Sequence, residues 1–177
     1  MLQLCQQKDV GMVGAKLYYP DDTIQHAGVV VGLGGVAAHV LCKLPRDAEG
    51  YMGRLRCVQE ISAVTAACMM VKTSVFKAVG GFDEELKVAF NDIDLCMKVR
   101  KYGVKIVFTP YAELYHYESK SRGMEDTPEK QLRFSREVNC FRRKWERELL
   151  KGDPYYNPNL TLNNTDCSLR KQEKNGD

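Results

Sequence analysis

A helix–strand unit in the middle of the chain constrains the fold more than any other feature. Apolar side chains recur at helical spacing from Asp92 onward, and Gly103 ends that helix. Strands are predicted over 104–109, which a proline closes, and briefly over 113–116. The unit therefore carries an acidic cluster where its helix starts and His116 where its strand ends. Joined in this way, the two groups can face a common cleft.

The remaining elements predict an α/β fold. We expect strands over 10–19 and 24–31, a β-prone apolar run over 61–71, a short helix over 72–79 and a long C-terminal helix over 129–150. Residues 32–58 have no regular pattern and are rich in glycine, proline and basic side chains. The sequence predicts one domain over 1–167 and a disordered tail over 168–177.

The composition is that of a globular chain and excludes several classes. Of the 177 residues, 44% are apolar and 28% are charged, which is ordinary globular usage. The net charge of +3 suits an anionic ligand but is too small to indicate nucleic acid, so no nucleic-acid partner is expected. Seven cysteines without CxxC spacing favour a reducing, cytoplasmic location. No apolar stretch reaches the roughly 18 residues of a membrane span, and peripheral attachment at the inner membrane face is compatible with this.

Asn91, Asp92 and Asp94 lie at the predicted start of the helix and allow two interpretations. A carboxylate held in a cleft can take a proton from a hydroxyl nucleophile. Acidic and amide side chains also cap helix N-termini, where the helix dipole stabilises them without any role in chemistry. Spacing alone leaves both interpretations open, and capping is the commoner of the two.

His116 and the loop after it also allow two interpretations each. A neutral imidazole at a strand end is a good ligand for Mn²⁺ or a similar ion, and a histidine satisfied by the backbone is the alternative. Ser119, Ser121 and Arg122 follow in a polar loop. Hydroxyls and a guanidinium can wrap a diphosphate, and an ordinary solvated loop is the alternative. The basic residues of the helix over 129–150 indicate either a solvated face or the basic edge of an anion site.

Six segments of the chain resemble bacterial family 2 glycosyltransferases. They are Gly14–Asp21, Ile24–Gly28, Val79–Glu84, Asn91–Leu95, Pro110–His116 and Asp153–Leu160. The resemblance extends from about Val10 to Leu169. The chain looks most like enzymes of O-antigen, rhamnan or related surface-polysaccharide synthesis.

The resemblance implies a GT-A fold with a mixed sheet and flanking helices. It implies inverting transfer of a sugar from a nucleoside diphosphate to the hydroxyl of a glycan or lipid-linked glycan, with Mn²⁺ or Mg²⁺ as cofactor. By matching positions, it implies Asp92 as the catalytic base and His116 as a metal ligand. It further implies Asn91, Asp94, Ala67 and Gly81 at the acceptor, and Ser119, Ser121 and Arg122 at the donor diphosphate.

The resemblance covers only the acceptor-side half of such an enzyme. The nucleotide-binding half with its Asp-x-Asp motif has no counterpart, and Asp21-Asp22 does not match that motif. A fragment, a truncated reading frame or one part of a split protein is therefore implied, with a nucleotide-binding half or a second copy as partner. Loss of the neighbouring strands predicts an exposed sheet edge, and hence low stability or self-association. A non-catalytic glycan-binding or assembly module is the alternative function.

Overall fold

The computed structural model describes residues 1–117 and 127–171 of the chain. In chain order, their helices and strands are α1 (Leu2–Cys5), β1 (Val10–Tyr18), β2 (Ile24–His26), β3 (Val29–Val31), β4 (Ala37–His39), β5 (Gln59–Glu60), β6 (Met69–Val71), α2 (Thr73–Ala78), α3 (Asn91–Lys101), β7 (Lys105–Tyr115), α4 (Pro128–Lys144) and α5 (Glu146–Lys151). Short 3₁₀ turns lie at Leu33–Gly35, Tyr51–Gly53 and Ala66–Cys68. The predicted α/β class is confirmed.

The strand β1 lies at the centre of the main sheet, and all nine of its residues are buried. It pairs in parallel with β7, while β2 and β6 pair with it in antiparallel fashion. The strand β5 extends the sheet beyond β7. The sheet is therefore mixed, as predicted. A strand buried on both faces requires a largely apolar sequence, and that of β1 is apolar or glycine except for Lys16 and Tyr18.

Gly14 of β1 makes room for a loop that carries part of the candidate site. A Cβ on Gly14 would lie 2.3 Å from Cγ1 of Val64, well inside a normal contact. The glycine thus lets the segment before Ala66–Cys68 pack directly on the sheet. The apolar run predicted as β-prone over 61–71 is accordingly only partly strand, because it contains this turn before β6 begins.

The strand β6 has β1 as its one partner among the described strands. Its three residues are apolar and half-buried. The exposed sheet edge left by missing neighbouring strands stays a prediction. The low stability or self-association expected from it stays a prediction.

The strand β7 differs from the prediction, because it continues through Pro110. Its register against β1 shifts between the pairs Ala15–Thr109 and Lys16–Glu113. Residues 110–112 are therefore bulged out of the pairing on the β7 side. Proline has no N–H to donate to a neighbouring strand, so a bulge tolerates it where regular pairing does not.

The strand predicted over 24–31 is two strands in different sheets. The strand β2 pairs with β1, whereas β3 pairs with β4 in a separate two-stranded sheet. Gly28 lies between them with a φ of +106°, a conformation that glycine adopts without the penalty of a Cβ. The chain turns at this glycine and leaves the main sheet.

The helix predicted over 129–150 is two helices that meet at Trp145. Its start is confirmed, since Pro128 opens α4 and the Thr127 hydroxyl accepts a hydrogen bond from the Lys130 amide at 3.4 Å. Trp145 is buried, with a φ of −114° and a ψ of 22° that lie outside the helical range. The helix bends where this side chain enters the core. Within the described ranges, no helix has both the length and the apolar character needed to cross a membrane.

The end of the described chain folds back on itself. The Thr161 amide donates to the Ser168 carbonyl at 2.8 Å, and the Arg170 amide donates to the Asn159 carbonyl at 2.8 Å. The first residues of the tail predicted as disordered from 168 are thus paired, because backbone groups of 159–161 satisfy them. Residues 172–177 lie outside the described residues, where disorder stays a prediction.

Candidate active site

Asp92 lies in the first turn of α3 and is half-buried. Its Oδ2 accepts a hydrogen bond from the Ala66 amide at 3.0 Å, and its Oδ1 accepts one from the Ile93 amide at 2.9 Å. One bond comes from a distant loop and the other from the helix itself. A carboxylate has about four lone-pair positions, so Asp92 is fixed in orientation and still has room for another partner.

The turn Ala66–Cys68 supplies the surface next to Asp92. The Thr65 hydroxyl accepts a hydrogen bond from the Ala67 amide at 3.3 Å and so caps the turn. Ala66 and Ala67 are both exposed. Ala67, which the sequence predicts at the acceptor, therefore lies one residue from the amide that holds Asp92. Small side chains at this point leave space for a ligand beside the carboxylate.

A buried histidine holds the same loop from the sheet. The Thr65 amide donates to Nε2 of His26 at 3.5 Å, and His26 is fully buried in β2. Burial, and then the His39 ring whose centroid is 4.8 Å away, hold the pKa of His26 well below its usual range. The imidazole is therefore neutral and serves as an acceptor. Consecutive amides of one loop are thus bound by His26 and by Asp92.

The residue before α3 has a strained backbone. Phe90 has a φ of +63° and a ψ of 5°, the left-handed conformation that bulky residues rarely adopt. Such residues cost about 1–3 kcal/mol and persist only where the surroundings hold them. The Phe90 ring packs against Phe134 and Phe141 of α4, with ring centroids 5.8 and 5.4 Å away. The strained residue turns the chain into the helix that carries Asp92.

Glu137 of α4 holds the segment that leads to Phe90. Its carboxylate accepts hydrogen bonds from the amides of Val88 and Ala89, both at 3.0 Å, although the residue is only 3% exposed. Arg133 lies 3.8 Å from the same carboxylate. Buried carboxylates are stable only with such partners. The helix α4 thus determines the conformation of the chain just before the candidate base.

Asp94 is completely buried and does not reach a ligand surface. Its Oδ1 accepts a hydrogen bond from Nε1 of Trp145 at 2.8 Å and lies 2.7 Å from Nζ of Lys144. Its Oδ2 lies 3.1 Å from Nζ of Lys98. Although burial lowers the pKa of Lys144, hydrogen bonds to Asp83 and Asp94 raise it overall. The predicted contact of Asp94 with an acceptor is not supported, because the side chain is completely buried among Lys98, Lys144 and Trp145.

Gly81 lies just after α2 and is joined to α3. Its carbonyl accepts a hydrogen bond from Nζ of Lys98 at 2.5 Å, and the same ammonium pairs with Asp94. The helix α2 ends at Ala78 because Gly80 has a φ of +79° and the Gly81 amide donates to the Phe76 carbonyl at 3.0 Å. Asn91, the first residue of α3, is half-buried. The acceptor roles of Gly81 and Asn91 stay predictions.

His116 directly follows β7 and is held by Gln25 of β2. Its Nδ1 lies 2.8 Å from Oε1 of Gln25, and Nε2 of Gln25 donates to the His116 carbonyl at 3.2 Å. Because the amide nitrogen is committed to the carbonyl, the amide oxygen faces the ring and Nδ1 carries the proton. The lone pair is then on Nε2, which is the form a metal ligand needs.

The described residues do not form a metal site on their own. Within 1–117 and 127–171, no group of three histidine, cysteine, aspartate or glutamate side chains could hold an ion. His116 offers one ligand. The residues predicted at the diphosphate, Ser119, Ser121 and Arg122, lie outside the described residues. Binding of a metal and of a diphosphate therefore stays a prediction.

The strand β2 connects the two parts of the candidate site. Gln25 contacts His116, and the next residue, His26, contacts the loop that holds Asp92. Gln25 is an extra residue in the pairing of β2 with β1, since Leu17 pairs with His26 and Tyr18 pairs with Ile24. Two consecutive residues at this bulge therefore hold the two parts, and a cleft common to both stays a prediction.

Sequence reasoning missed several of these supporting residues. Glu137 was part of a helix interpreted as a solvated or basic face, and Asp153 was part of an extended tail. Asp153 in fact accepts hydrogen bonds from the Ser62 hydroxyl at 2.6 Å and from the Val31 amide at 2.8 Å. The one available signal for Asp153 was its place in a motif of the resemblance. Glu137 and Asp153 have their roles because distant segments of the chain pack around them, and a local sequence pattern does not encode such packing.

The mixed sheet and the held carboxylate at a helix start are features of a GT-A type of glycosyltransferase. Residues 1–137 match the family model of glycosyltransferase like family 2. The chain belongs to this family, and its mixed α/β fold is a partial GT-A fold. No solved structure matches the chain.

Curated relatives of the chain are much longer proteins. It is 58% identical over 170 residues to the uncharacterized protein y4gI of Sinorhizobium fredii, which covers 96% of this chain and 19% of the relative. It is 38% identical over 178 residues to the O-antigen biosynthesis protein RfbC of Myxococcus xanthus, covering 100% of this chain and 14% of the relative. It is 36% identical over 62 residues to an N-acetylglucosaminyl-diphospho-decaprenol L-rhamnosyltransferase of Mycobacterium tuberculosis, covering 35% of this chain and 20% of the relative. The chain thus spans a fifth or less of each.

Proposed function

We propose that the chain is the acceptor-side half of an inverting glycosyltransferase of surface-polysaccharide synthesis. Membership of family 2 and the names of the O-antigen and rhamnosyl relatives support transfer of a sugar to a glycan. The setting of Asp92 carries the proposal. Its carboxylate is half-buried, held by the Ala66 amide at 3.0 Å, and next to a surface of small side chains.

In the proposed reaction, Asp92 takes the proton of an acceptor hydroxyl. The hydroxyl oxygen forms a bond to the anomeric carbon of the donor sugar while the bond from that carbon to the diphosphate breaks. The nucleoside diphosphate leaves with the electron pair, and attack from the opposite side inverts the carbon. A general base works when it is oriented towards the proton it takes, and the hydrogen bonds from Ala66 and Ile93 supply that orientation.

The proposed donor is a nucleoside-diphosphate sugar bound with Mn²⁺ or Mg²⁺. A departing diphosphate needs its charge neutralised. His116 would supply one imidazole, and Ser119, Ser121 and Arg122 would contact the diphosphate. Because one imidazole cannot hold the ion, the proposal includes a nucleotide-binding half that supplies the remaining ligands.

The substitution Asp92→Asn tests the proposal in the transferase that contains this chain. Asparagine keeps the shape and can still accept the Ala66 amide, but it loses the acceptor for the Ile93 amide and cannot take a proton. Sugar transfer should fall by about 10²–10⁴-fold, while calorimetry should show unchanged binding of UDP or dTDP. The matched control is Asp9→Asn, which removes a carboxylate paired with Lys105 at 2.8 Å at the start of the sheet and should leave transfer intact.

Full transfer activity in the Asp92→Asn protein would rule out the assignment of the base. If the native protein binds glycan and never transfers sugar in the presence of Mn²⁺ or Mg²⁺, the alternative of a non-catalytic glycan-binding or assembly module is correct.

A further inference from the structure

A cleft with three basic side chains opens beside the C-terminal half of β1. Its volume is about 420 Å³, and its lining includes the basic residues Lys16, Arg46 and Arg56 together with the acidic residues Asp47 and Glu113. The side chains of Arg46 and Arg56 are 46% and 61% exposed, so the rim of the cleft is open to solvent. None of these residues has a part in the proposed proton transfer.

Lys16 forms the buried base of this cleft, with 4% of its surface exposed. Its ammonium donates one hydrogen bond, 3.3 Å long, to the Arg46 carbonyl. An ammonium has three N–H donors, and buried donors are nearly always satisfied. Burial is the largest cause that lowers the pKa of Lys16; Glu113 opposes it, and the charges of Arg46 and Arg56 add to it. The group is therefore short of acceptors and of negative charge.

Tyr18 packs against the basic side chains next to the cleft. It is 1% exposed, and its hydroxyl interacts with the side chains of Glu113 and Arg46. Its ring centroid lies 4.6 Å from the Arg46 guanidinium and 5.4 Å from Nζ of Lys16. Burial and the nearby Glu113 carboxylate raise the pKa of Tyr18 to about 12, so the hydroxyl stays protonated and can donate.

Three acidic groups around the cleft are paired with its arginines, and a fourth, Asp47, is exposed in the lining and accepts a hydrogen bond from Arg56 through its backbone carbonyl at 3.3 Å. Glu113 lies 2.6 Å from the Arg46 guanidinium, and Asp22 lies 3.5 Å from it. Nε of Arg56 lies 3.5 Å from Glu49, in a pair that is exposed on both sides. Exposed pairs of this kind contribute little, so Arg56 can exchange Glu49 for a ligand at small cost.

We propose that Lys16, Arg46 and Arg56 form a binding subsite for an oxyanion. A phosphate or carboxylate group offers several acceptor oxygens together with a negative charge, and the buried ammonium lacks both. A phosphorylated ligand and the carboxylate of an acidic sugar share this chemistry. The subsite does not require that the chain transfers sugar, so its test is separate from the test of Asp92.

Calorimetric titration of the whole chain with inorganic phosphate and, separately, with glucuronate tests the subsite. At least one of the two should bind saturably with one equivalent per chain, and the one that binds identifies the source of the oxyanion. Arg56→Gln should weaken this binding by about three- to tenfold, since it removes one charged donor from the rim. Lys16→Met should abolish it. Arg143→Gln, which removes an exposed guanidinium from α4, is the matched control and should bind as the native chain does.

Because Lys16 is buried, circular dichroism must show that Lys16→Met is folded, and the exposed Arg56 decides the matter if it is not. The proposal is overturned if neither anion binds, if Arg56→Gln binds as tightly as the native chain, or if Arg143→Gln weakens binding equally. Equal weakening would mean that the anions respond only to overall charge.

Discussion

The Asp94 carboxylate and the Trp145 indole are joined by a 2.8 Å hydrogen bond inside the protein, across 51 positions of the chain. The ammonium of Lys144 lies 2.7 Å from the same oxygen. Asp94 belongs to α3, the helix that begins at the candidate base, whereas Trp145 lies between α4 and α5. The C-terminal helices therefore hold α3 in place through a buried charge.

Replacing Trp145 by phenylalanine should destabilise the chain strongly. The substitution keeps an aromatic ring but removes the one indole N–H that Asp94 accepts, and a buried carboxylate that loses a donor is costly. We expect the free energy of unfolding in urea to fall by about 2–4 kcal/mol. Tyr156→Phe is the control, because it removes a buried hydroxyl that donates to the neutral Thr161 carbonyl at 3.0 Å. That control should lose only about 0.5–1.5 kcal/mol, and equal losses would show that the charge of Asp94 is unimportant.

Replacing Glu137 by glutamine should loosen the segment before Phe90. The carboxylate accepts the amides of Val88 and Ala89 with its two oxygens, whereas an amide side chain has one acceptor and presents N–H groups to the second amide. Hydrogen exchange at Val88 and Ala89 should become faster, and stability should fall by about 1–3 kcal/mol. Glu129→Gln, an exposed change at the start of α4, should alter neither exchange rate. Unchanged exchange in the Glu137 variant would contradict the role assigned to this carboxylate.

Alanine substitutions at Gly80 and Gly81 should distinguish the cost of backbone strain from the cost of a steric clash. Gly80 and Gly81 both have positive φ, of +79° and +65°, but a Cβ on Gly81 would lie 3.1 Å from the Phe76 ring, and one on Gly80 would have open space. Gly80→Ala should cost about 1–2 kcal/mol from its left-handed backbone alone. Gly81→Ala should cost about 1–3 kcal/mol more, because the ring must move. Thermal unfolding of the two variants measures the difference, and equal melting temperatures would mean that the ring yields freely.

Acidification should destabilise the chain through His26. Its pKa in the folded protein is well below 6.5, so the unfolded chain takes up a proton that the folded chain does not. Stability is fully present above pH 6.5 and falls as the pH drops from there towards the folded pKa, by at most about 1.4 kcal/mol per pH unit for one proton. Urea unfolding at intervals between pH 7.5 and pH 5 measures the slope.

His26→Gln provides the control for this pH dependence. Glutamine can still accept the Thr65 amide but does not titrate, so its slope between pH 7.5 and pH 5 should be flatter than that of the native chain. A native slope that persists in this variant would place the titrating group elsewhere.

The elements that could be predicted are those whose signals are local. The apolar run of β1, the helical spacing from Asp92 to Gly103 and the proline at the start of α4 each act within a few residues. The prediction failed where tertiary contacts decide. The strand β7 passes through Pro110 because β1 pairs on both sides of the bulge, and the long C-terminal helix breaks because Trp145 turns into the core.

The same limit applies to the candidate site. Asp92 and the small residues beside it could be found from a helix start and an apolar run with small side chains. Asp94 looked equivalent to Asp92 in sequence, since both lie in the first turn of α3. Only burial distinguishes the two residues. The Asp92 carboxylate accepts a hydrogen bond from the Ala66 loop, whereas the Asp94 carboxylate is enclosed by Lys144 and Trp145. Glu137 had no signal that distinguished it from a solvated helix residue.

The contacts of the consecutive residues Gln25 and His26 both depend on the pairing register of β2 against β1. Because Gln25 and His26 are adjacent, a slip of β2 by one position against β1 would move both side chains away from their partners at once. His116 would lose the amide that fixes its tautomer, and the loop beside Asp92 would lose its imidazole acceptor. A misregistered molecule would thus fail on both sides together, so partly functional misfolded forms of this chain should be scarce.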